Sequence, residues 1–303
     1  MALIVGEPGI GKTRLCEELE THAQERGFEV QVGHCYEGEG APAYWPWVQI
    51  LRDAASQTES DTTLRAQLGM GAAELAEVVP ELRARFPDLE AAGGPGGEQA
   101  RFRLFEAAAR FLEQRANAMP LVLILEDLHW GDASSLGLLA YLARPAASSR
   151  ILLVGTYRDV DVRRGLPLAD LLGALARQEA CERIALSGLD DDEIADLVRL
   201  FTGQSPRADL VATLREMTEG NPFFLLEMVQ LIADKSSAAE AGPETLQALT
   251  LPQGVKDAIG RRLDALSPEC NAMLRAAAVI GRRFGIQRLE AMLDFPEEER
   301  SEA

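Results

Sequence analysis

Residues 6–13 read Gly-Glu-Pro-Gly-Ile-Gly-Lys-Thr, and this stretch decides the fold of the chain. It matches the pattern GxxxxGK[ST] at every fixed position, with a short apolar run before it and an amphipathic stretch after it. Glycines let the backbone turn its N–H groups around an anion, while a lysine ammonium and a threonine hydroxyl suit phosphates and Mg²⁺. The sequence therefore predicts a strand, a phosphate-binding loop and a helix, in that order.

The whole loop and the residue after it are predicted to contact a bound nucleotide. Lys12 brings positive charge to the β- and γ-phosphates, and Thr13 offers its hydroxyl to Mg²⁺. The predicted nucleotide-binding residues here are Gly6, Glu7, Pro8, Gly9, Ile10, Gly11, Lys12, Thr13 and Arg14.

The composition excludes several classes of partner. The 303 residues include 48 acidic and 30 basic side chains, and the net charge of -18 repels phosphate backbones and anionic membranes. Direct nucleic-acid or membrane binding is therefore not expected. The chain has no apolar run long enough to span a membrane. Its four cysteines are scattered without a CxxC pair, as in reduced thiols, so we expect a cytoplasmic location.

Apolar runs alternate with amphipathic stretches up to about residue 188, which is typical of an α/β protein with a parallel sheet flanked by helices. In the first predicted helix, Leu15, Leu19 and His22 share one face. Beyond residue 188 the pattern is helical. Strands are predicted at 2–5, 28–34, 121–125, 151–156 and 182–187.

Paired carboxylates follow the apolar run 121–125. Glu126 and Asp127 stand where a strand of a parallel sheet ends beside the phosphate-binding loop. Carboxylates at such a place hold hydrated Mg²⁺ and polarise an attacking water molecule. Acidic residues also end many strands without a function, but the upstream loop favours the functional interpretation.

Arg158 follows the next predicted strand, in the stretch ILLVGTYRD. Because ligands of open parallel sheets bind beyond the carboxyl ends of the strands, Arg158 is predicted to sense a γ-phosphate. The alternative is a surface arginine in a charged loop. His129 and Trp130 are either a structural pair or groups acting beside the nucleotide, and Asp132 is predicted to cap the following helix.

Four ordered stretches carry a family resemblance: GEPGIGKTRL, LILEDLHWGDASSL, GTYRD and EGNPFFLLEMV. Together they resemble the signal-transduction ATPases with numerous domains (STAND), a branch of the AAA+ P-loop class. More narrowly, they resemble the ATPase module of large ATP-binding LuxR-type transcriptional regulators. The resemblance implies ATP or ADP with Mg²⁺ as cofactors, and a protein partner or an output domain in cis. It leaves nucleotide-dependent oligomerisation open.

The resemblance also assigns roles to matching positions. It implies that Glu126 organises Mg²⁺ and that Asp127 activates water, whereas the usual family order is Asp then Glu, or two Asp. The shorter second side chain implies slow hydrolysis. Pro222, in a Gly-Asn-Pro element, is implied to pack near the nucleotide base. Neither Arg144 nor Arg150 stands out as an arginine finger.

The implied domains are an ATPase core over 1–188 with an insertion at 35–118, a helical lid over 189–236, a linker over 237–250 and a winged-helix domain beginning at 251 and running to 303. Compared with the family, both ends look cut. We therefore expect a fragment of a larger regulator, or a miscalled start.

The leading functional hypothesis is a regulatory ATPase switch whose nucleotide sets the orientation of domains. A nucleotide-bound scaffold without significant hydrolysis is the second, favoured by the reversed acidic pair and the missing finger.

Two further hypotheses rank lower. A small-molecule kinase would need an acceptor pocket, and Tyr44, Trp45 and Trp47 could line one or simply pack the insertion onto the sheet. A DNA-loading ATPase would need a basic patch, for which the C-terminal part offers six arginines: Arg261, Arg262, Arg275, Arg282, Arg283 and Arg288.

Overall fold

The computed structural model describes most of the first 235 residues and part of the remainder. It describes 1–235 except 39, 95, 145–148, 163–164 and 177–180, and then 256, 259–260, 263–264, 266–280, 285 and 288–289. The predicted linker lies outside the described residues, as do most of the predicted winged-helix segment and four of its six arginines. The chain forms two compact units, Met1–Gly188 and Leu189–Ala303, which are described separately here.

The first unit is built on a five-stranded parallel sheet. Its strand order is β2-β3-β4-β1-β5, with Leu125 of β3 opposite Gly155 of β4. All five predicted strands are confirmed; the first has the predicted ends, and the others differ at one end by one or two residues. The strands are β1 (Ala2–Val5), β2 (Glu29–His34), β3 (Leu121–Glu126), β4 (Ile151–Tyr157) and β5 (Glu182–Ala185).

Helices cover both faces of this sheet. The helices of the first unit are α1 (Lys12–Glu25), α2 (Trp45–Ser56), α3 (Asp61–Leu68), α4 (Ala72–Val78), α5 (Glu81–Arg85), α6 (Glu98–Ala118), α7 (Ala133–Ala143) and α8 (Pro167–Leu175). Short 3₁₀ turns lie at Gly69–Gly71, Leu128–Trp130 and Asp159–Asp161. None of the helices that the structure describes is long and apolar enough to cross a membrane.

The segment 35–118 contributes to the main hydrophobic core rather than standing apart from it. Trp47 of α2 is fully buried, and its indole N–H donates to the backbone oxygen of Ser135 in α7 at 2.9 Å. Tyr44 packs edge-on against Phe105 of α6. The aromatic cluster therefore packs helices of this segment onto the sheet, so the packing interpretation is confirmed for Tyr44 and Trp47.

The opposite face of the sheet is covered by α1. The face predicted for this helix is wrong, because Leu15 is 40% exposed and His22 is exposed as well. Cys16 and Ala23 are buried instead, with Leu19 packed beside them against the strands. Small side chains let the helix lie close to the sheet. The spacing of the larger residues therefore predicted the wrong face of the helix as buried.

The second unit has a small core of its own, formed by three helices: α9 (Asp191–Thr202), α10 (Ala208–Thr218) and α11 (Pro222–Lys235). Asp190 caps α9 by accepting a hydrogen bond from the backbone N–H of Glu193 at 2.9 Å, and the Glu193 carboxylate accepts from the Asp190 N–H in return. A further helix, α12, covers Pro268–Ile280.

Candidate nucleotide-binding site

The loop between β1 and α1 has the backbone shape that an anion cradle needs. Gly9 and Gly11 have φ angles of 83° and 104°, which lie in the left-handed region that disfavours residues with a Cβ. Gly11 stands directly before Lys12, the first residue of α1. The first N–H groups of this helix point toward the loop, where a phosphate group is stabilised.

Lys12 is buried at this loop. Its Nζ donates to the backbone oxygens of Gly6 and Glu7, each at 2.9 Å. An ammonium group has three donors, so these contacts hold the loop closed while using two of them. Burial lowers the pKa of Lys12, and the nearby positive charge of Arg158 adds to the shift. An anionic ligand would reverse this effect by stabilising the charged form.

Thr13 and Glu126 meet, as predicted, although 113 residues separate them in the sequence. The Thr13 hydroxyl donates to Glu126 Oε2 at 2.8 Å, and Glu126 is buried at the end of β3. Hard oxygen donors of this kind suit Mg²⁺. Among the residues that the structure describes, no group of three or more His, Cys, Asp or Glu side chains could hold a metal ion.

Asp127 lies just beyond β3 in an unusual backbone conformation. Its φ of 57° is in the left-handed region, and its backbone N–H donates to Thr156 Oγ1 at 3.0 Å. Thr156 is buried near the end of β4, the neighbouring strand. The Asp127 side chain is 41% exposed, so its carboxylate faces solvent while its backbone is fixed. Such a carboxylate is free to hold a water molecule.

Thr156 is the residue that sequence reasoning left without a role. Its signal was present, since a hydroxyl stands near the end of the apolar run ILLVGTY. A hydroxyl there could have been explained equally well as a tolerated polar residue of the strand. Only the parallel pairing of β3 with β4 identifies its partner as the N–H of Asp127.

Arg158 and His129 complete the charged cluster beyond the ends of β3 and β4. Burial lowers the pKa values of both Lys12 and His129, and the nearby positive charge of Arg158 adds to each shift. The His129 side chain is 1% exposed and lies between two carboxylates, those of Asp127 and Asp161. Its ring also contacts Trp130, with centroids 5.3 Å apart.

Other predicted residues lie elsewhere. Asp132 caps α7 as predicted, accepting from the backbone N–H groups of Ser134 and Ser135. Arg14 points away from the loop toward solvent, where it pairs with Glu17 and Glu18. Pro222 is the first residue of α11 in the second unit, and its contact with a base stays a prediction.

The sheet order, the glycine loop and the carboxylates beyond β3 define a P-loop nucleoside triphosphatase fold of the AAA type. Residues 1–154 match the AAA ATPase domain family, and the chain belongs to this family. Over its full length it is similar in fold to a Walker-type ATPase of Pyrococcus abyssi. That match has 15% identity and a TM-score of 0.55, and it covers 99% of this chain and 82% of the other.

Two further relatives are much longer than this chain. A Signal Transduction ATPase with Numerous Domains with a tetratricopeptide repeat sensor, from Pyrococcus horikoshii, matches with a TM-score of 0.46 and 18% identity, over 91% of this chain and 34% of that one. An uncharacterized protein of Rhizobium meliloti is 27% identical over 97% of this chain. The chain spans 29% of the length of that relative.

Proposed function

We propose that this chain is an ATP-binding and slowly hydrolysing switch module of a multidomain signalling or transcriptional regulator of the STAND type, similar to the LuxR-type ATP-binding regulators. The observation that carries the proposal is the hydrogen bond between Thr13 and Glu126 beside the buried Lys12. Two oxygen donors next to a lysine ammonium and a glycine loop form a site for a metal-bound polyphosphate.

The proposed roles follow from these positions. Bound Mg²⁺-ATP would supply a γ-phosphoryl group whose negative charge is partly neutralised by the metal ion. Thr13 and Glu126 would hold Mg²⁺, and Lys12 would contact the phosphates. Asp127 would orient the attacking water and take up its proton, while Arg158 would contact the γ-phosphate.

The regulatory part of the proposal rests on the order of the four sequence stretches and on the length of the Rhizobium relative. Because the chain spans 29% of that relative, its fold occurs there as one part of a larger protein. We infer an output domain or a protein partner that responds to the nucleotide state. No membrane contact and no direct nucleic-acid contact are part of the proposal.

A specific feature favours the scaffold as a second candidate. The carboxylate after Glu126 belongs to Asp127, which is one methylene shorter than the glutamate of the Asp-then-Glu order and cannot reach as far toward a bound phosphate. A protein with this site could keep its nucleotide without turning it over.

Binding and turnover measurements on the whole chain separate these functions. Calorimetry with ATP and ADP, in Mg²⁺ and in EDTA, should show nucleotide binding that is stronger with Mg²⁺. Phosphate release should exceed that of a mock preparation purified from cells without the expressed gene. Binding without release would favour the scaffold, and absence of binding would overturn both functions.

A further inference from the structure

The imidazole of His129 is buried in the strand-end cluster, and it has no assigned role. Its side chain is 1% exposed, Nδ1 lies 3.9 Å from Asp127 Oδ1, and Nε2 lies 3.7 Å from Asp161 Oδ2. Asp127 comes directly after β3, whereas Asp161 ends the 3₁₀ turn that follows β4. The ring therefore bridges the loops that follow two neighbouring strands.

Neither ring nitrogen of His129 has a hydrogen-bond partner among the described residues. Both contacts are about half an ångström or more beyond the range of N–H···O hydrogen bonds. A buried polar group without a partner is unfavourable, so a closer contact with one carboxylate would stabilise the ring. Asp127 and Asp161 are 41% and 39% exposed, and their carboxylates have the freedom to approach it.

Four charged groups surround this imidazole: Asp127, Asp161, Arg158 and Lys12. Burial lowers the pKa of His129, the positive charges of Arg158 and Lys12 add to this effect, and the two carboxylates oppose it. The lowered pKa favours the neutral ring at pH 7, and a neutral imidazole has a single N–H. It can therefore donate to one of the two carboxylates at a time.

The backbone favours Asp127 as the acceptor. Asp127 and His129 lie on the same short turn, which is fixed by the hydrogen bond from the Asp127 N–H to the buried Thr156 hydroxyl. Asp161 belongs to a separate 3₁₀ turn without a buried residue, whereas the turn of His129 is anchored by the buried Leu128. A donor held on the same rigid turn loses less conformational freedom when it binds the carboxylate.

We propose that His129 is a positioning residue, whose Nδ1–H donates to the Asp127 carboxylate and holds it in the orientation that activates water. This inference rests on the proposed ATPase function. The other carboxylate oxygen of Asp127 stays free for the water molecule. Asp161, which is 39% exposed, faces the nitrogen that carries no hydrogen, and water can reach its carboxylate.

Three substitutions at one position separate the two contacts. His129→Asn places an amide nitrogen near the position of Nδ1, and His129→Gln places one near that of Nε2. His129→Phe keeps an aromatic ring without either donor. We expect kcat to stay within about threefold in the Asn variant and to fall about tenfold or more in the Gln and Phe variants. In the His129 variants that fold, the ADP affinity and the melting temperature should stay near the wild-type values.

An unchanged kcat in the Phe variant, or equal rates in the Asn and Gln variants, would overturn the proposal. A second measurement works without turnover. The chain has three histidines, so ¹⁵N-histidine NMR can assign His129 by comparison with the Asn variant. We expect the neutral ring to carry its hydrogen on Nδ1 and to lose this preference in Asp127→Ala.

The spectrum also separates this proposal from the function on which it rests. If the wild-type ring carries its hydrogen on Nε2 and does not respond to Asp127→Ala, the positioning role is overturned, whatever the rate of phosphate release. Absence of phosphate release from the wild type, with hydrogen on Nδ1, would overturn the ATPase function and leave the His129–Asp127 contact intact.

Discussion

The two ends of the parallel sheet differ in whether their buried polar side chains have hydrogen-bond partners. At the amino ends of β2 and β3, Arg115 donates to Glu29 through Nε at 2.9 Å and through a terminal nitrogen at 2.7 Å, and its other terminal nitrogen donates to Thr58 at 2.6 Å. At the carboxyl ends, the nitrogens of His129 have no hydrogen-bond partner among the described residues.

This difference indicates that the amino end contributes to stability, whereas the carboxyl end holds the candidate site. Arg115 and Glu29 are both about 8–9% exposed, and their charges are compensated by each other. Such a pair needs no ligand. The carboxyl ends instead collect Lys12, Glu126, Asp127 and Arg158, and in the part of the chain that the structure describes these four side chains form no ion pair with one another. Ligands of open α/β sheets bind beyond these strand ends, and a bound polyphosphate with Mg²⁺ would supply what is missing.

The largest expected effect is on stability and comes from the amino end. Arg115→Ala leaves the buried Glu29 carboxylate unpaired, so the free energy of unfolding should fall by about 3–5 kcal/mol. Urea unfolding measures this change. Arg110→Ala on the same helix removes an exposed partner of Glu106 and should cost less than about 0.5 kcal/mol. Similar losses in the two variants would contradict the contrast between the sheet ends.

Lys12→Ala should be the largest effect at the carboxyl end. It removes the only positive charge within residues 6–13, and ATP affinity should fall about 100-fold or more, which corresponds to about 2.7 kcal/mol. Fluorescent-nucleotide titration measures the affinity. Arg26→Ala removes one positive charge just after the far end of α1 and should leave the affinity unchanged. Wild-type affinity in the Lys12 variant would rule out the proposed site.

Asp127→Asn should separate binding from turnover. An amide cannot accept the proton of the attacking water, so kcat should fall about 100-fold while ATP affinity stays within a few-fold of wild type. Phosphate release and calorimetry measure the two quantities. Asp159→Asn changes an exposed carboxylate that pairs with Arg183, and both quantities should stay at wild-type values. Full turnover in Asp127→Asn would remove this residue from catalysis.

Thr156→Val should have the smallest effect, and it should change both the stability of the protein and its turnover. The change keeps the side-chain shape but leaves the Asp127 N–H without its acceptor, which should cost about 1–3 kcal/mol of stability. Because the turn loses its anchor, we expect a several-fold lower kcat as well. Thermal unfolding and phosphate release measure these losses. Thr156→Ser keeps the hydroxyl and should behave like wild type. Equal losses in the Ser and Val variants would show that the methyl group, and not the hydroxyl, is important.

Much of the first unit could be predicted from short stretches of sequence. The glycine loop, the five strands and the cap at Asp132 depend on neighbours within a few residues. The buried face of α1 could not be predicted in the same way, because Cys16 and Ala23 are buried for their fit against the sheet rather than for their hydrophobicity alone. The place of Trp47 in the core likewise depends on a distant contact, because its indole N–H donates to the backbone oxygen of Ser135, 88 residues further along the chain.

The sequence by itself determined the phosphate-binding loop, because the glycines, Lys12 and Thr13 are contiguous and their backbone geometry is local. It also identified Glu126, Asp127 and Arg158 as candidates from their places after apolar runs. Only the tertiary structure decided which of these groups meet. The parallel alignment of β3 and β4 joins Thr156 to Asp127 and brings His129 between two carboxylates 34 residues apart, Asp127 and Asp161. Contacts of this kind depend on strand register and helix packing across the whole unit, which no short stretch of the chain encodes.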